Sequence, residues 1–224
     1  ASTHAYSTVK EYADIAAEKG LQAIAITDHA PGMADGAHLY HFQNLSVIPR
    51  KINGVYILRG AECTLQNENA ALDLEDSELK RLDVVIASIH QSRFGPKNPQ
   101  EHTKMLLKVM DNPNVDILGH IGREKTEFDI EAVVKKAKET KKLIEINSFT
   151  LGYKSNMKRR CLEIAQVCKK HSLPIVVSSD SHICYNVGDV QSSVSLLKEV
   201  GYDEALIMNT TFERIAEFLE LRKQ

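Results

Sequence analysis

The strongest constraint on the fold is a recurrence. A short β-branched run, a polar turn and an amphipathic stretch follow one another six or seven times along the chain. The runs Ala23–Thr27, Val84–Ile89 and Ile175–Val177 are apolar on both faces, as parallel strands buried between helices are. Strands alternating with helices are βαβ units. The pattern predicts strands at 22–28, 55–61, 84–89, 115–119, 143–147, 174–179 and 205–208. It predicts helices at 8–19, 99–111, 129–141, 156–171, 190–199 and 211–222, with a shorter one near 40–50. Ser7 and Thr8 can cap the first helix and Gly20 can close it; Thr210 and Thr211 can cap the last. So many units suit a closed or distorted (βα) barrel better than an open sheet, although patterning alone does not choose between them.

Function is signalled by what ends these strands. The first runs into Thr27-Asp28-His29, the second into Gly60-Ala61-Glu62, the third into Ser88-Ile89-His90 and the fourth into Leu118-Gly119-His120. The run from Val177 ends in Ser178-Ser179-Asp180-Ser181-His182. Barrel folds build their active sites at the C-terminal ends of their strands. Side chains two apart on a strand face the same way. Asp180 and His182 are therefore expected to share a side with Ser178, and His29 a side with Ala25 and Thr27, leaving Ile24 and Ile26 towards the helices. One such histidine alone reads as structural; the set on one rim reads as a site. His38, His41, His102 and His171 lack the placement and are expected in loops or on helix surfaces. Imidazole and carboxylate together suit zinc, iron or manganese, and the absence of cysteine from the set argues against a closed structural zinc site.

Composition narrows the field. The net charge of −2 and an aromatic content of 6% with no Trp offer neither a basic stripe nor stacking platforms for nucleic acid. No apolar run approaches the ~20 residues of a membrane span. Cys63, Cys161, Cys168 and Cys184 form no CxxC pair. They are expected as reduced core thiols, with Cys161 and Cys168 on one helix face, in a cytoplasmic protein of one domain, 1–224.

The ordered set TDH at 27–29, GAE at 60–62, SIH at 88–90, LGH at 118–120 and SSDSH at 178–182 resembles the PHP (polymerase and histidinol phosphatase) family. The chain looks most like its small stand-alone YcdX-like phosphatases. The resemblance implies an α/β fold, a distorted (βα)7 barrel, with a trinuclear metal site at the C-terminal rim. It implies Glu62 and Asp180 at one ion; Glu62, His90 and His120 at a second, with Glu62 bridging; and His4, His29 and His182 at a third. Those seven ligands, His4 included, are too many for one ion and suit two or three ions of zinc, manganese or iron. Glu62, Asp180 and His182 are the candidate catalytic residues. The family opens with a strand carrying an HxH motif, which this sequence does not contain. The first strand is therefore expected to be missing from the chain, leaving an open sheet edge and a first ion with only Glu62 and Asp180.

These readings lead to a metal-dependent phosphatase acting on small phosphomonoesters through a metal-activated hydroxide. Arg123, Arg93 and Lys154, in loops after site strands, are candidate phosphate holders, and Asp28 and Asn147 candidate supports of the ligands. The resemblance adds a homo-oligomer, a trimer. Two alternatives remain at this level: a PHP-type nuclease or phosphodiesterase, and a metal-poor inactive binding subunit lacking the HxH strand.

Overall fold

The computed structural model describes residues 2, 4–90, 98–123, 127–152 and 155–221. Helix α1, Val9–Glu18, starts where expected. Thr8 Oγ1 accepts from Glu11 N while Glu11 Oε2 accepts from Thr8 N, a reciprocal cap that satisfies two otherwise orphaned donors. Gly20, at φ +72°, ends it. Strand β1, Ala23–Ile26, follows. Then come α2, Leu39–Gln43, and the hairpin strands β2, Lys51–Ile52, and β3, Val55–Thr64. Next are α3, Asp76–Leu79; β4, Val84–Ser88; and α4, Pro99–Val109. Strand β5, Ile117–Leu118, precedes α5, Ile130–Glu139, and β6, Leu143–Asn147. The chain continues through α6, Ser148–Leu151; α7, Ser155–Lys170; β7, Ile175–Ser178; α8, Gln191–Val200; and α9, Phe212–Phe218.

Strands pair in the order β1-β3-β4-β5-β6-β7, each neighbour parallel, with β2 turned back antiparallel onto the start of β3. The sheet curls into a half-barrel clad by helices. Alternate strand residues sort into two layers, as the period of two requires. Ala61, Val85, Ala87, Leu118, Ile144, Ile146, Ile175 and Val177 join the outer core under the helices. Leu58, Val84, Ile117, Leu143 and Val176 pack with Ile215 of α9 inside the curl. Ile24 and Ile26 pack against Tyr12, Ala13 and Ala16 of α1, the side expected of them. Cys161 and Cys168 are both buried and free.

The last expected strand, 205–208, is not one. A 3-10 turn, Glu204–Leu206, leads to a single bridge between Ile207 and Ile175. Asn209 then imitates a strand, its Oδ1 accepting from Val177 N at 3.0 Å and its Nδ2 donating to Val177 O. This segment runs along the outer edge of β7; among the described residues no strand pairs with the outer edge of β1. A cavity of about 1010 Å³ lies between β1 and β7, from His4, His29 and Glu62 at the rim down to Phe212, Ile215 and Leu219.

Candidate active site

Parallel strands deliver the first ligands directly. Asp28 O accepts from Glu62 N at 3.0 Å and Glu62 O from Ala30 N at 2.9 Å, so that His29 stands beside Glu62 in a parallel bridge. Glu62 is 8% exposed and is the centre of the arrangement. His120 Nε2 lies 2.8 Å from its Oε1, His90 Nε2 3.2 Å from the same oxygen, and His29 Nε2 3.5 Å from Oε2. His4 stacks on His29, ring centroids 4.4 Å apart, and meets His182 edge-on at 4.4 Å. Asp180 takes a hydrogen bond from Asn147 Nδ2 at 3.1 Å. All seven expected ligands are thus assembled at one rim.

Two of them arrive by a route the strand pattern did not foresee. Strand β7 stops at Ser178, and Asp180 sits at φ +48°; β5 stops at Leu118, and His120 sits at φ +28°. Alternation along a strand therefore does not place them. A left-handed backbone step does, at a conformational cost of roughly 1–3 kcal/mol each. Gly119 makes the second step feasible, since a Cβ there would fall 2.2 Å from Ser88 Oγ.

The rings are turned alike. Thr64 Oγ1 holds His90 Nδ1 at 2.9 Å and Asp35 Oδ1 holds His29 Nδ1 at 3.2 Å. In each case Nε2 is left towards Glu62. His120 also presents Nε2 to Glu62, while its buried Nδ1 has no hydrogen-bond partner among the described residues. His90 and His29 are held as metal-binding histidines are, with Nδ1 fixed by an outer partner and Nε2 turned to where an ion would sit. Burial alone would raise the Glu62 carboxyl and lower the imidazoles, yet the mutual attraction wins. Glu62 is held well below the usual carboxylate range, and His29 and His120 are raised to about 9. The pocket stabilises positive charge beside Glu62, and in donor type and orientation it fits divalent cations. His29, Glu62 and His90 form one group of converging ligand atoms, and His4, His29 and Asp35 another.

Three residues of the site escaped the sequence reading. Asp35 bridges His4 and His29. Glu145, buried in β6, accepts from His120 N at 2.6 Å; burial pushes its carboxyl up, with His120 opposing and Asp180 reinforcing. A charge inside the apolar run Leu143–Asn147, two residues before Asn147, was the signal available. Phe149, 38% exposed, lies 5.2 Å from His182, and Arg123 stands over its ring at 6.0 Å. Arg123 is thereby placed beside the rim, on the 3-10 turn Ile121–Arg123. Arg93 and Lys154 lie outside the described residues.

Four histidines were expected in loops or on helix surfaces, and one, His102, is not there. His102 is fully buried on α4, its ring edge-on to Phe128. His41 points inward, Nε2 3.2 Å from Asp28 Oδ2. Asp28 is held at about 2: burial would raise it, but hydrogen bonds from His41 and Ser2 outweigh that. His38 caps α2, and His171 pairs with Glu131 at 2.7 Å.

Comparison with known proteins places this geometry in company. The family model described as PHP domain matches residues 1–156. A probable phosphatase of Clostridium botulinum is 42% identical over 219 residues, covering 98% of this chain and 90% of that protein. A probable phosphatase of Caldanaerobacter subterraneus subsp. tengcongensis is 43% identical over 227 residues, covering 100% and 89%. Among solved structures, the chain resembles histidinol phosphate phosphatase from Lactococcus lactis complexed with zinc, L-histidinol and phosphate. The TM-score is 0.61 at 16% identity, with 90% of each chain covered. It also resembles a chain of archaeal ribonuclease P with mature tRNA, TM-score 0.64 at 15% identity, covering 96% of this chain and 87% of that one. At such identities the likeness concerns the fold.

Proposed function

The chain belongs to the PHP domain family, and from that premise we propose that it is a metal-dependent phosphatase acting on small phosphomonoesters. The observation that carries the proposal is the convergence of three imidazole Nε2 atoms on the buried Glu62 carboxylate, with His4, His182 and Asp180 alongside. The named relatives, probable phosphatases similar over nearly the whole chain, support the same reading. Glu62, His90 and His120 would hold one ion, His4, His29 and His182 another, and Glu62 with Asp180 a third. Zinc, manganese and iron suit these donors. Such ions, when bound, supply electrophilic clamping of phosphoryl oxygens and activation of water.

The chain's own groups do the rest. Glu62 gives the centre its negative charge. Asn147 fixes the Asp180 carboxylate through one oxygen, and the other would be available to an ion. Arg123 is assigned to a phosphoryl oxygen, where a planar fork can bind bidentately. Phe149 stands beside both His182 and Arg123. The site draws on His4 at one end and His182 at the other, so one domain spanning 1–224 carries it. No described helix is long and apolar enough to cross a membrane. Buried free cysteines fit a reducing compartment, and a cytoplasmic homo-oligomer, a trimer, completes the proposal.

The test uses the full-length protein with zinc or manganese supplied. Hydrolysis of p-nitrophenyl phosphate is expected, well above that of bis(p-nitrophenyl) phosphate or single-stranded DNA. A metal-loaded protein inert towards the monoester overturns the proposal. So does one that degrades single-stranded DNA as fast as it cleaves the monoester, which is the result a nuclease would give.

A further inference from the structure

One carboxylate at the rim serves two rings at once. Asp35 Oδ2 lies 2.5 Å from His4 Nδ1, and Asp35 Oδ1 lies 3.2 Å from His29 Nδ1. A carboxylate only accepts, so both imidazoles carry their proton on Nδ1 when these bonds are made. In the neutral rings Nε2 is then the bare nitrogen, the one left to an ion. The rings are stacked at 4.4 Å with an interplanar angle of 24°, so the two Nε2 atoms are offered side by side. The third ring of the cluster, His182, meets His4 edge-on.

The loop that carries Asp35 is built to hold it there. Ala37 N donates to His29 O at 2.9 Å, Met33 N to Ala30 O at 3.2 Å and Gly36 N to Met33 O at 3.0 Å. These bonds fold residues 29–37 into a tight return that brings Asp35 back over His29. Asp73 anchors the loop from below, its two oxygens accepting from Gly32 N at 2.9 Å and Thr64 N at 2.8 Å. Two close approaches leave no room for side chains: a Cβ on Gly36 would fall 2.1 Å from Ala30 O, and one on Gly32 2.8 Å from Asp73 Cβ.

We infer that Asp35 is a positioning residue which fixes the tautomer and the facing of His4 and His29 together, and thereby creates the peripheral cation site formed with His182. The inference rests on the metal-dependent reading of this centre. It concerns a step that reading leaves open: why His4, more than a third exposed near the start of the described chain, should be held ready as a ligand at all. The bond from Asp35 is an answer in geometry. It also sets this site apart from the one at Glu62, His90 and His120, where Thr64 holds the ring of His90 instead.

Zinc binding to the full-length protein, measured by chelator competition, and the histidine side-chain tautomers, read by long-range proton–nitrogen correlation, together test it. Wild type is expected to show His4 and His29 protonated on Nδ1 and bound to zinc through Nε2. Asp35→Asn offers one acceptor and one donor, so it cannot satisfy two Nδ1–H groups. It should weaken one zinc equivalent 10–100-fold and leave the tightest equivalent unchanged. Asp35→Glu should recover part of the loss. Unchanged affinity for every equivalent in Asp35→Asn overturns the inference while leaving the metal-dependent reading intact. Coordination of His4 or His29 through Nδ1 overturns it as well, and that readout needs only wild type should Asp35→Asn fail to fold. A wild type that binds no zinc overturns both readings together.

Discussion

Replacing Glu62 by Gln tests the centre with the least disturbance of shape. The main chain at Glu62 is held by the bonds to Asp28 O and from Ala30 N, which do not depend on the side chain. The amide fills the same volume but removes the charge on which His29, His90 and His120 converge at 3.5, 3.2 and 2.8 Å. It also turns an NH₂ donor towards one ring or another. Truncating one partner of a desolvated charge pair costs about 2–5 kcal/mol of binding, here of the ions that the rings would hold with Glu62, and at about 1.4 kcal/mol per decade 4 kcal/mol is a loss of roughly 10³ in kcat/KM where turnover follows the bound ions. Because two of the proposed ions share Glu62, added zinc should not restore activity. His4→Ala is the contrast. Its ring is 37% exposed and touches only the peripheral cluster, so loss of one ligand should weaken one ion by about 10–100-fold and be rescued by excess zinc. Steady-state hydrolysis of an aryl phosphomonoester across a zinc titration separates the two. Equal losses, the reverse order, or rescue of Glu62→Gln by zinc would refute the bridging role.

Arg123→Ala should lower kcat/KM by about 2–4 kcal/mol with metal content unchanged, and Arg123→Lys should recover part; wild-type kinetics would show that the guanidinium holds no substrate oxygen. Glu145→Leu deprives the buried His120 N–H of its acceptor, which should cost about 1–3 kcal/mol in urea unfolding and weaken zinc binding, whereas Glu145→Gln keeps an oxygen there and should lose less; equal effects of the two would dismiss the hydrogen bond. Away from the site, burial raises Asp116 from 3.8 to about 6, against a bond from Val85 N. An acid raised in the folded state stabilises it most below its unfolded pKa, and that contribution fades as pH climbs through about 6. Asp116→Asn should therefore gain on wild type by about 2–3 kcal/mol between pH 4 and 8 in urea titrations, and a pH-independent difference would count against the shift.

The candidate ligands were legible because imidazole and carboxylate are distinctive residue types and the fold puts them at strand ends, both visible in one dimension. His29 and Glu62 follow directly from strand register, and His90 lies two residues past the end of β4. His120 and Asp180 were found for the right residue type but for an incomplete geometric reason, since each leaves its strand through a positive φ. Supporting residues were harder to read. Asp35 reaches its rings through a loop whose turns depend on Gly32 and Gly36 rather than on any period. His102 resembles a surface residue on a helix until Phe128, in a distant segment, packs against its ring. Residues 205–208 have strand composition, yet only Ile207 bridges, because Asn209 takes over the pairing with its side chain. Long-range partners decide such cases, and local pattern carries no trace of them.

Strand β6 shows how the parts depend on one another. It is the strand of the half-barrel that ends in no expected ligand, and it lies between β5 and β7, the strands that lead to His120 and Asp180. Its two inward polar residues are spaced by two, so both face the site. Glu145 reaches towards the β5 side and accepts from His120 N; Asn147 reaches towards the β7 side and donates to Asp180 Oδ2. Each therefore braces one of the two ligands whose backbone is left-handed. Strain of this kind persists only where surrounding contacts over-determine it, and here those contacts come from one three-residue stretch, Glu145–Asn147, whose Asn147 Oδ1 also caps α6 by accepting from Thr150 N at 2.9 Å. A strand without a candidate ligand is thus what braces two candidate ligands. Glu145 and Asn147 should accordingly tolerate substitution less well than their distance from any reacting atom suggests.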